Sequence, residues 1–176
     1  MEAITLKGEQ CHLRALEPAD LDFLYELENN PEIWEISNTL KPYSKAILKD
    51  YLGNAHRDVY EVKQLRLCIC NSKNKTIGLV DLFDFDPKHR RAGIGIILAN
   101  PSDRNKGVGA EALTLMLDYA FSVLELHQVH ANILEDNLAS IQLFEKLGFN
   151  CVGLKKDWIR WGGAFKSELL YQKIKS

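Results

Sequence analysis

The sequence has little of what marks a metalloprotein or a disulfide-bonded secreted protein. Its 176 residues include only four cysteines, which are Cys11, Cys68, Cys70 and Cys151. None of them forms a C-x-x-C pair, and no histidine lies at a spacing that would complete a zinc site. Cys68 and Cys70 fall on one face of a predicted strand, which is typical of core thiols. We therefore expect no metal.

Strong charge and long apolar runs are also missing. The net charge is −2 and the pI is about 6.2, so electrostatics gives no reason to expect nucleic-acid binding. No apolar run reaches the roughly 18 residues of a membrane span. The first five residues lack the basic and apolar regions of a signal peptide. We expect a cytoplasmic protein that binds neither membranes nor nucleic acid.

The sequence does contain enough apolar residues for one sizeable core. Hydrophobic residues make up 46% of the chain and charged residues 26%, which is ordinary for a soluble domain. The length fits one domain, and no repeat, low-complexity tract or linker divides it. We expect a single domain over residues 1–176.

Hydrophobic periodicity predicts a succession of short elements. Strands are predicted at residues 4–6, 11–15, 65–70, 77–85, 92–99, 129–133, 151–154 and 168–173. Helices are predicted at residues 18–29, 31–34, 44–57 and 107–124, and after Asn137. This order is typical of an α+β domain with a mostly antiparallel central sheet.

A glycine-rich turn lies between a predicted strand and a predicted helix. It consists of Arg104, Asn105, Lys106, Gly107, Val108 and Gly109. Glycines let backbone N–H groups approach an anion without a Cβ in the way, and a helix N-terminus favours negative charge. The spacing fits neither the Walker loop nor the dinucleotide fingerprint. The turn therefore indicates a phosphate site of another kind.

A second motif follows about thirty residues later. Asn137 begins the segment Asn-Leu-Ala-Ser, and the helix after it ends in Phe-Glu-Lys-Leu-Gly-Phe at residues 144–149. Asn137 is a good N-cap, and Gly148 suits a left-handed helix end. Ile141, Phe144 and Leu147 fall on one helix face.

Together the two motifs resemble those of the GNAT superfamily of acetyl-CoA-dependent N-acetyltransferases. The resemblance implies the GNAT fold along almost the whole chain and acetyl-CoA as co-substrate. It implies that residues 104–109 with Ala110 hold the coenzyme's pyrophosphate. The residues implied for the pantetheine, the acetyl group and other polar contacts are Ile96, Ile97, Leu98, Asn137, Ser140 and Phe144.

Within the superfamily, the chain resembles bacterial spermidine/polyamine acetyltransferases. The similar stretches are residues 27–30, 77–82, 89–92 and 117–121. The group that acetylates ribosomal-protein N-termini shares much of this pattern. The resemblance therefore implies that the acceptor is a small cationic amine, with a polyamine such as spermidine as the leading hypothesis and a peptide N-terminus as the alternative, and a homo-oligomer is compatible with either.

Acidic residues independently favour a cationic acceptor. Residues 17–35 contain seven acids and no lysine or arginine. The family's acceptor groove is lined by the first two helices and by the strand after Gly78. The predicted substrate-binding residues are Glu26, Glu32, Glu35, Asp81 and Asp84. Carboxylates on both walls would concentrate a polyamine, whereas each acid taken alone is typical of a solvated helix face.

Two departures from the family pattern fall at chemical positions. Phe144 stands where many polyamine acetyltransferases carry the tyrosine that protonates the coenzyme thiolate. Gly93 stands where relatives often carry a glutamate that receives the amine proton. Three explanations remain: the thiolate leaves without a dedicated acid, another residue substitutes for it, or the protein binds acyl-CoA as a degenerate sensor. The first explanation is favoured. For the second, the candidate residues that would replace the missing acid are Tyr119, Ser140 and Tyr171.

Overall fold

The structure is a computed structural model that describes residues 6–176. Seven strands form one sheet, namely β1 (Cys11–Ala15), β2 (Leu65–Asn71), β3 (Thr76–Asp86), β4 (Arg91–Leu98), β5 (Gln128–Leu134), β6 (Asn150–Trp161) and β7 (Ala164–Ile174). Their order across the sheet is β1-β2-β3-β4-β5-β7-β6. Every neighbouring pair is antiparallel except β4 and β5, which are parallel. The predicted α+β class is confirmed.

Six α-helices flank the sheet, and two 3₁₀ turns precede α1 and α5. The helices are α1 (Leu21–Glu28), α2 (Pro31–Ser37), α3 (Lys45–Gly53), α4 (Val59–Val62), α5 (Val108–Ser122) and α6 (Leu138–Lys146). Side-chain oxygens of Asn30, Ser44 and Asn137 accept backbone N–H bonds at the starts of α2, α3 and α6. These bonds satisfy donors that a helix start leaves without a partner, and they fix where each helix begins. None of the helices in residues 6–176 is long and apolar enough to cross a membrane.

The two faces of the sheet are covered by different helices. Strand residues such as Leu67, Ile69 and Ile94 pack with α5 and α6 in the larger core. Alternate residues, including Cys68 and Cys70, pack with α1, α2 and α3 in a smaller core. This division follows from the two-residue period of strand side chains. Burial raises the pKa of the Cys68 thiol to about 12, so this cysteine is an inert core residue.

The parallel pair β4–β5 is short, and this opens the sheet. The two strands pair only at three positions, from Arg91–Gln128 to Gly93–His130. Beyond Gly93, β4 continues to Leu98 on β3 alone, while β5 continues on β7. The strands therefore diverge and leave a V-shaped gap at the middle of the sheet.

Several predicted boundaries differ from the structure. The predicted strand at 4–6 lies mostly outside the described residues. The predicted helix at 18–29 begins with a 3₁₀ turn, Pro18–Asp20, and the predicted helix at 44–57 ends at Gly53. Strand β6 has 12 residues where four were predicted, and β7 has 11 where six were predicted, because the two form a hairpin around Gly162 and Gly163. Both glycines have positive φ, as the tightest hairpin turns require.

Candidate active site

The glycine-rich turn forms the start of α5, as its sequence predicts. Gly107 is the N-cap residue with φ 86°, a conformation that favours glycine. Gly109 lies in the first turn, where an added Cβ would meet only side chains of Ile96, Leu98 and Leu143 at 3.7–3.9 Å. These are ordinary contact distances, so packing within the chain does not require a glycine at 109. The backbone N–H groups of this turn remain open to an anion.

The free edge of β4 supplies a second row of backbone donors. The N–H of Ala99 donates to the carbonyl of Ile77 at 2.9 Å. Because antiparallel pairs alternate, Ile97 also bonds to β3, while the N–H groups of Ile96 and Leu98 point to the gap. The carbonyl of Leu98 accepts a bond from Arg104 at 3.2 Å. An extended, amide-containing ligand could therefore lie along this edge.

The gap between β4 and β5 is a cleft of about 410 Å³. Its walls include Ile96 and Ile97 of β4, together with Asn137, Ser140 and Phe144 at and within α6. Glu35 of α2 contributes to another wall. The structure thus brings β4 and the second motif to one cleft. None of residues 104–110 lines this cleft; the glycine-rich turn lies beside β4 instead, where Gly109 approaches the side chains of Ile96 and Leu98. The roles of these residues toward a ligand stay predictions.

Phe144 lies between the cleft and the core. It is 4% exposed, and its ring packs edge-on against Phe149 with centroids 5.1 Å apart. Of the three substitutes for the absent tyrosine, only Ser140 lines the cleft. The Tyr171 hydroxyl donates to Glu145 at 3.0 Å instead, and Tyr119 packs against the larger core on α5.

The acids of the acceptor wall are paired with cations of the chain itself. Arg66 of β2 donates to both oxygens of Asp81, at 2.6 and 3.2 Å, and to Glu28 at 3.1 Å. Glu35 pairs with Lys166. The predicted carboxylates are thus part of an ion-pair network. Sequence reasoning missed Arg66, since it lies outside the acidic segment.

The remaining predicted acids lie elsewhere. Glu26 and Glu32 are exposed on α1 and α2 and do not line the cleft. Asp84 has φ 48° in an irregular part of β3 and lines a separate cavity. Their assignment to substrate binding therefore depends on a ligand that reaches beyond the cleft.

A second cavity of about 280 Å³ adjoins the cleft beneath α1, α2 and α3. Ser37, Arg66 and Ile97 line both spaces, so the two lie side by side. Tyr51 and several aliphatic side chains make most of its wall. A ligand entering here would pass the Arg66 network before it reaches the free edge of β4.

Gly93 is explained by its neighbour on β3. A Cβ at this position would overlap the ring of Phe83, which lies across Gly93 and also approaches Gly95. The space in which the family's glutamate would begin is therefore filled by an aromatic ring. Sequence reasoning identified the departure at Gly93 but missed Phe83. Among the described residues, no group of three or more His, Cys, Asp or Glu side chains could hold a metal ion.

The architecture is that of a coenzyme-binding acyltransferase: two parallel strands diverge around a cleft, and a glycine-rich helix start lies beside them. Comparison with known proteins gives the same class. Residues 10–150 match the family described as "Acetyltransferase (GNAT) domain". The match covers well over half of the chain. The protein belongs to the GNAT acetyltransferase family.

Two bacterial enzymes show which acetyltransferases of the family the chain is similar to. Spermidine N(1)-acetyltransferase from Vibrio cholerae is 32% identical over 142 residues, which cover 81% of this chain and 80% of that protein. The enzyme of the same name from Escherichia coli K12 is 30% identical, covering 80% and 73%.

A solved structure extends the likeness to the fold. The crystal structure of spermidine N-acetyltransferase from Vibrio cholerae in complex with CoA and spermine superposes with a TM-score of 0.85. The two are 27% identical, and the alignment covers 95% of this chain and 96% of that one.

Proposed function

We propose that this acetyltransferase moves the acetyl group of acetyl-CoA to a primary amine of a polyamine such as spermidine. The observation that carries the proposal is the cleft itself. A free strand edge and three carboxylates line it, and the open N-terminus of α5 lies beside the same strand, where Gly109 approaches Ile96 and Leu98. The relatives named for spermidine acetylation support the acceptor class. We place the reaction in the cytoplasm.

In this proposal the coenzyme lies along the free edge of β4. The turn at 104–109 and Ala110 would hold the pyrophosphate, and the N–H groups of Ile96 and Leu98 would bond the pantetheine and the acetyl carbonyl. Asn137 and Ser140 would provide further polar contacts from α6. Backbone donors aimed at the carbonyl stabilise the negative charge that develops during attack.

The acceptor would enter along the Arg66 network. The cleft is lined by three carboxylates, of Glu35, Asp81 and Glu168. Each is paired with a cation of the chain, but these cations also hold Glu28 and Asp136, so three cations face five carboxylates. The excess of negative charge attracts a cationic amine and orients it by charge-assisted hydrogen bonds. Because each carboxylate already has a cationic partner, binding exchanges one cation for another.

The thiolate can leave without a dedicated acid. A free thiol has a pKa near 8.5, so its anion is a tolerable leaving group. Acid–base catalysis typically contributes about 10²–10⁴-fold, whereas alignment of the amine with the thioester can supply the larger share of the rate.

The decisive experiment measures the release of free CoA thiol with a panel of acceptors. We expect release with spermidine and spermine and much less with peptides that carry a free α-amine. Preference for the peptides would support transfer to protein N-termini instead. Tight acetyl-CoA binding without turnover on any amine would identify a sensor and contradict the enzyme assignment.

A further inference from the structure

The proposed reaction needs a group that takes a proton from the acceptor amine, and the carboxylates of the cleft are engaged. Asp81 is held by Arg66, and Glu35 is held by Lys166. Pairing with a cation favours the charged form of a carboxylate and makes it a weak proton acceptor. A base must therefore be sought beside the cleft.

His130 lies at the last position where β5 pairs with β4. Its partner across the pair is Gly93. Partners in a ladder present their side chains on the same face, and the two strands are about 4.8 Å apart. The ring of Phe83 fills the space over Gly93 and meets the imidazole edge-on, with centroids 6.1 Å apart. His130 thus stands beside the place that the family's glutamate would occupy.

The position of His130 along the cleft suits the reacting end of the coenzyme. Gly93 and His130 mark the closed end of the V, and the strands diverge beyond them. Ile96 is three residues farther on, or about 10 Å. With the pyrophosphate at Gly107, an extended thioester would point its acetyl end toward the closed end.

The imidazole is reachable from the cleft. It is half-buried and lines a polar cavity of about 540 Å³. Asn132, two residues along β5, lines both this cavity and the cleft. The two spaces thus adjoin at Asn132, where water could relay a proton between them.

The groups around His130 favour its neutral form. Burial lowers the pKa of His130 below its ordinary value. The negative charge of Asp84 on β3 raises this pKa, whereas the positive charges of Arg91 on β4 and Lys155 on β6 lower it further. Lys155 is itself paired with Glu168 of β7 at 2.5 Å.

The nearest side chains on the same face of β5 and β7 are uncharged. Gln128 lies two residues before His130 on β5, and Gln172 is the partner of His130 on β7. The side chain of Gln172 donates a hydrogen bond to that of Gln128. Neither glutamine competes for a proton. Asp84 and Asp86 line the same cavity, but a carboxylate is ordinarily a weaker base than an imidazole, so the imidazole is the stronger base at this end of the sheet face.

We propose that His130 accepts the proton of the acceptor ammonium through water, in place of the glutamate that Gly93 excludes. This inference rests on the proposed function. The ammonium gives one proton to the imidazole, and the neutral amine forms a C–N bond with the thioester carbonyl as the C–S bond breaks. The thiolate takes the second proton from the new nitrogen, and the imidazolium returns its proton to solvent.

The test is the pH dependence of kcat/KM for spermidine in wild type and His130→Gln. Wild type should reach a plateau above about pH 6.5, because its base is already neutral there. The variant should lose about 10²-fold at pH 7. It should then gain about tenfold per pH unit up to about pH 10, where the amine loses its own proton. KM for acetyl-CoA and the Tm should not change.

His127→Gln is the matched control, because His127 is exposed one residue before β5 begins. It should keep the wild-type profile. Phe83→Ala with Gly93→Glu, added to His130→Gln, should restore the plateau, which a merely structural role for His130 would not explain.

Two results would overturn the inference. One is a His130→Gln loss that is equal at every pH, or no loss. The other is a wild-type kcat/KM that itself rises up to pH 10. That profile would show that no group of the enzyme acts as the base, and it is measured on the wild type alone. Absence of acetyl transfer by wild type contradicts the proposed function instead, and the inference falls with it.

Discussion

The two halves of the cleft are built in different ways. The half proposed for the coenzyme uses the backbone of β4 and, beside it, the first turn of α5, which follows β4 closely in sequence and includes at Gly109 a glycine that packing does not require. The half proposed for the acceptor uses side-chain ion pairs among α1, β2 and β3, centred on Arg66. The difference teaches that the first half depends on local backbone geometry, whereas the second depends on charges brought together from distant parts of the chain.

Removal of Arg66 should have the largest effect. Arg66→Met leaves Glu28 and Asp81 without their shared cation in a mostly buried wall, where the side chains are 17% and 16% exposed. Breaking such a pair costs about 3 kcal/mol of unfolding free energy. Denaturant unfolding measures the loss. Lys45→Met, at an exposed pair with Asp22, is the control and should leave the midpoint unchanged. An equally stable Arg66→Met would show that the acceptor wall does not depend on this network.

Gly109→Val should weaken acetyl-CoA binding at least about tenfold, or 1.4 kcal/mol. The valine branches would lie where phosphate oxygens approach the helix start. Gly107 is unsuited to this test because its φ of 86° strains any substitution. Calorimetry gives the affinity, and Gly53→Val, in open space at the end of α3, is the control. Unchanged affinity in folded Gly109→Val would remove the pyrophosphate assignment.

Phe144→Tyr tests the missing acid where the halves meet. The position lines the cleft, so the hydroxyl can be solvated, and kcat should rise by up to about 10²-fold with unchanged Tm. Phe149→Tyr is the matched control. Phe149 is 2% exposed beside Phe144 and does not line the cleft, so its hydroxyl should cost about 1–3 kcal/mol of stability. A stability loss at 144 without a gain in kcat would make Phe144 structural.

Glu111→Gln should have the smallest effect, confined to the coenzyme half. The carboxylate accepts backbone N–H bonds from Glu9, Gln10 and Cys11, and these bonds hold residues 9–11 beside Gly107. Burial raises the pKa of Glu111, but hydrogen bonds from Cys11, Glu9 and Gln10 outweigh it and hold the pKa below its usual value.

The lowered pKa of Glu111 decides how the stability that its carboxylate supplies changes with pH. The stabilisation is complete above the unfolded pKa of about 4.3 and is lost as the pH falls through the lower folded pKa. Melting temperatures of wild type and Glu111→Gln should differ at pH 7 and converge toward pH 2. A difference that persists unchanged at pH 2 would contradict a role for the charge.

Sequence reasoning succeeded where the determinants are local. The turn at 104–109 and the Asn137 cap were predicted because glycine conformation and side-chain capping act within a few residues. It predicted only the segments 151–154 and 168–173 of the β6–β7 hairpin, because the residues of β6 are mostly exposed and those of β7 mostly half-buried, and they show no clear apolar alternation. The Gly162–Gly163 turn was the available signal. It also failed for Arg66, whose partners lie 15 and 38 residues away.

The sequence by itself determined the α+β class and the glycine turn at the start of α5, because these depend on periodicity and short-range backbone geometry, and the resemblance of its two motifs indicated the acetyltransferase family. Only the tertiary structure decided that the acids of the wall are paired with cations of the chain itself, that Phe83 takes the space above Gly93, and that His130 stands beside it. Contacts across strands depend on register and sheet order, and no local pattern specifies which distant side chains a ladder brings together.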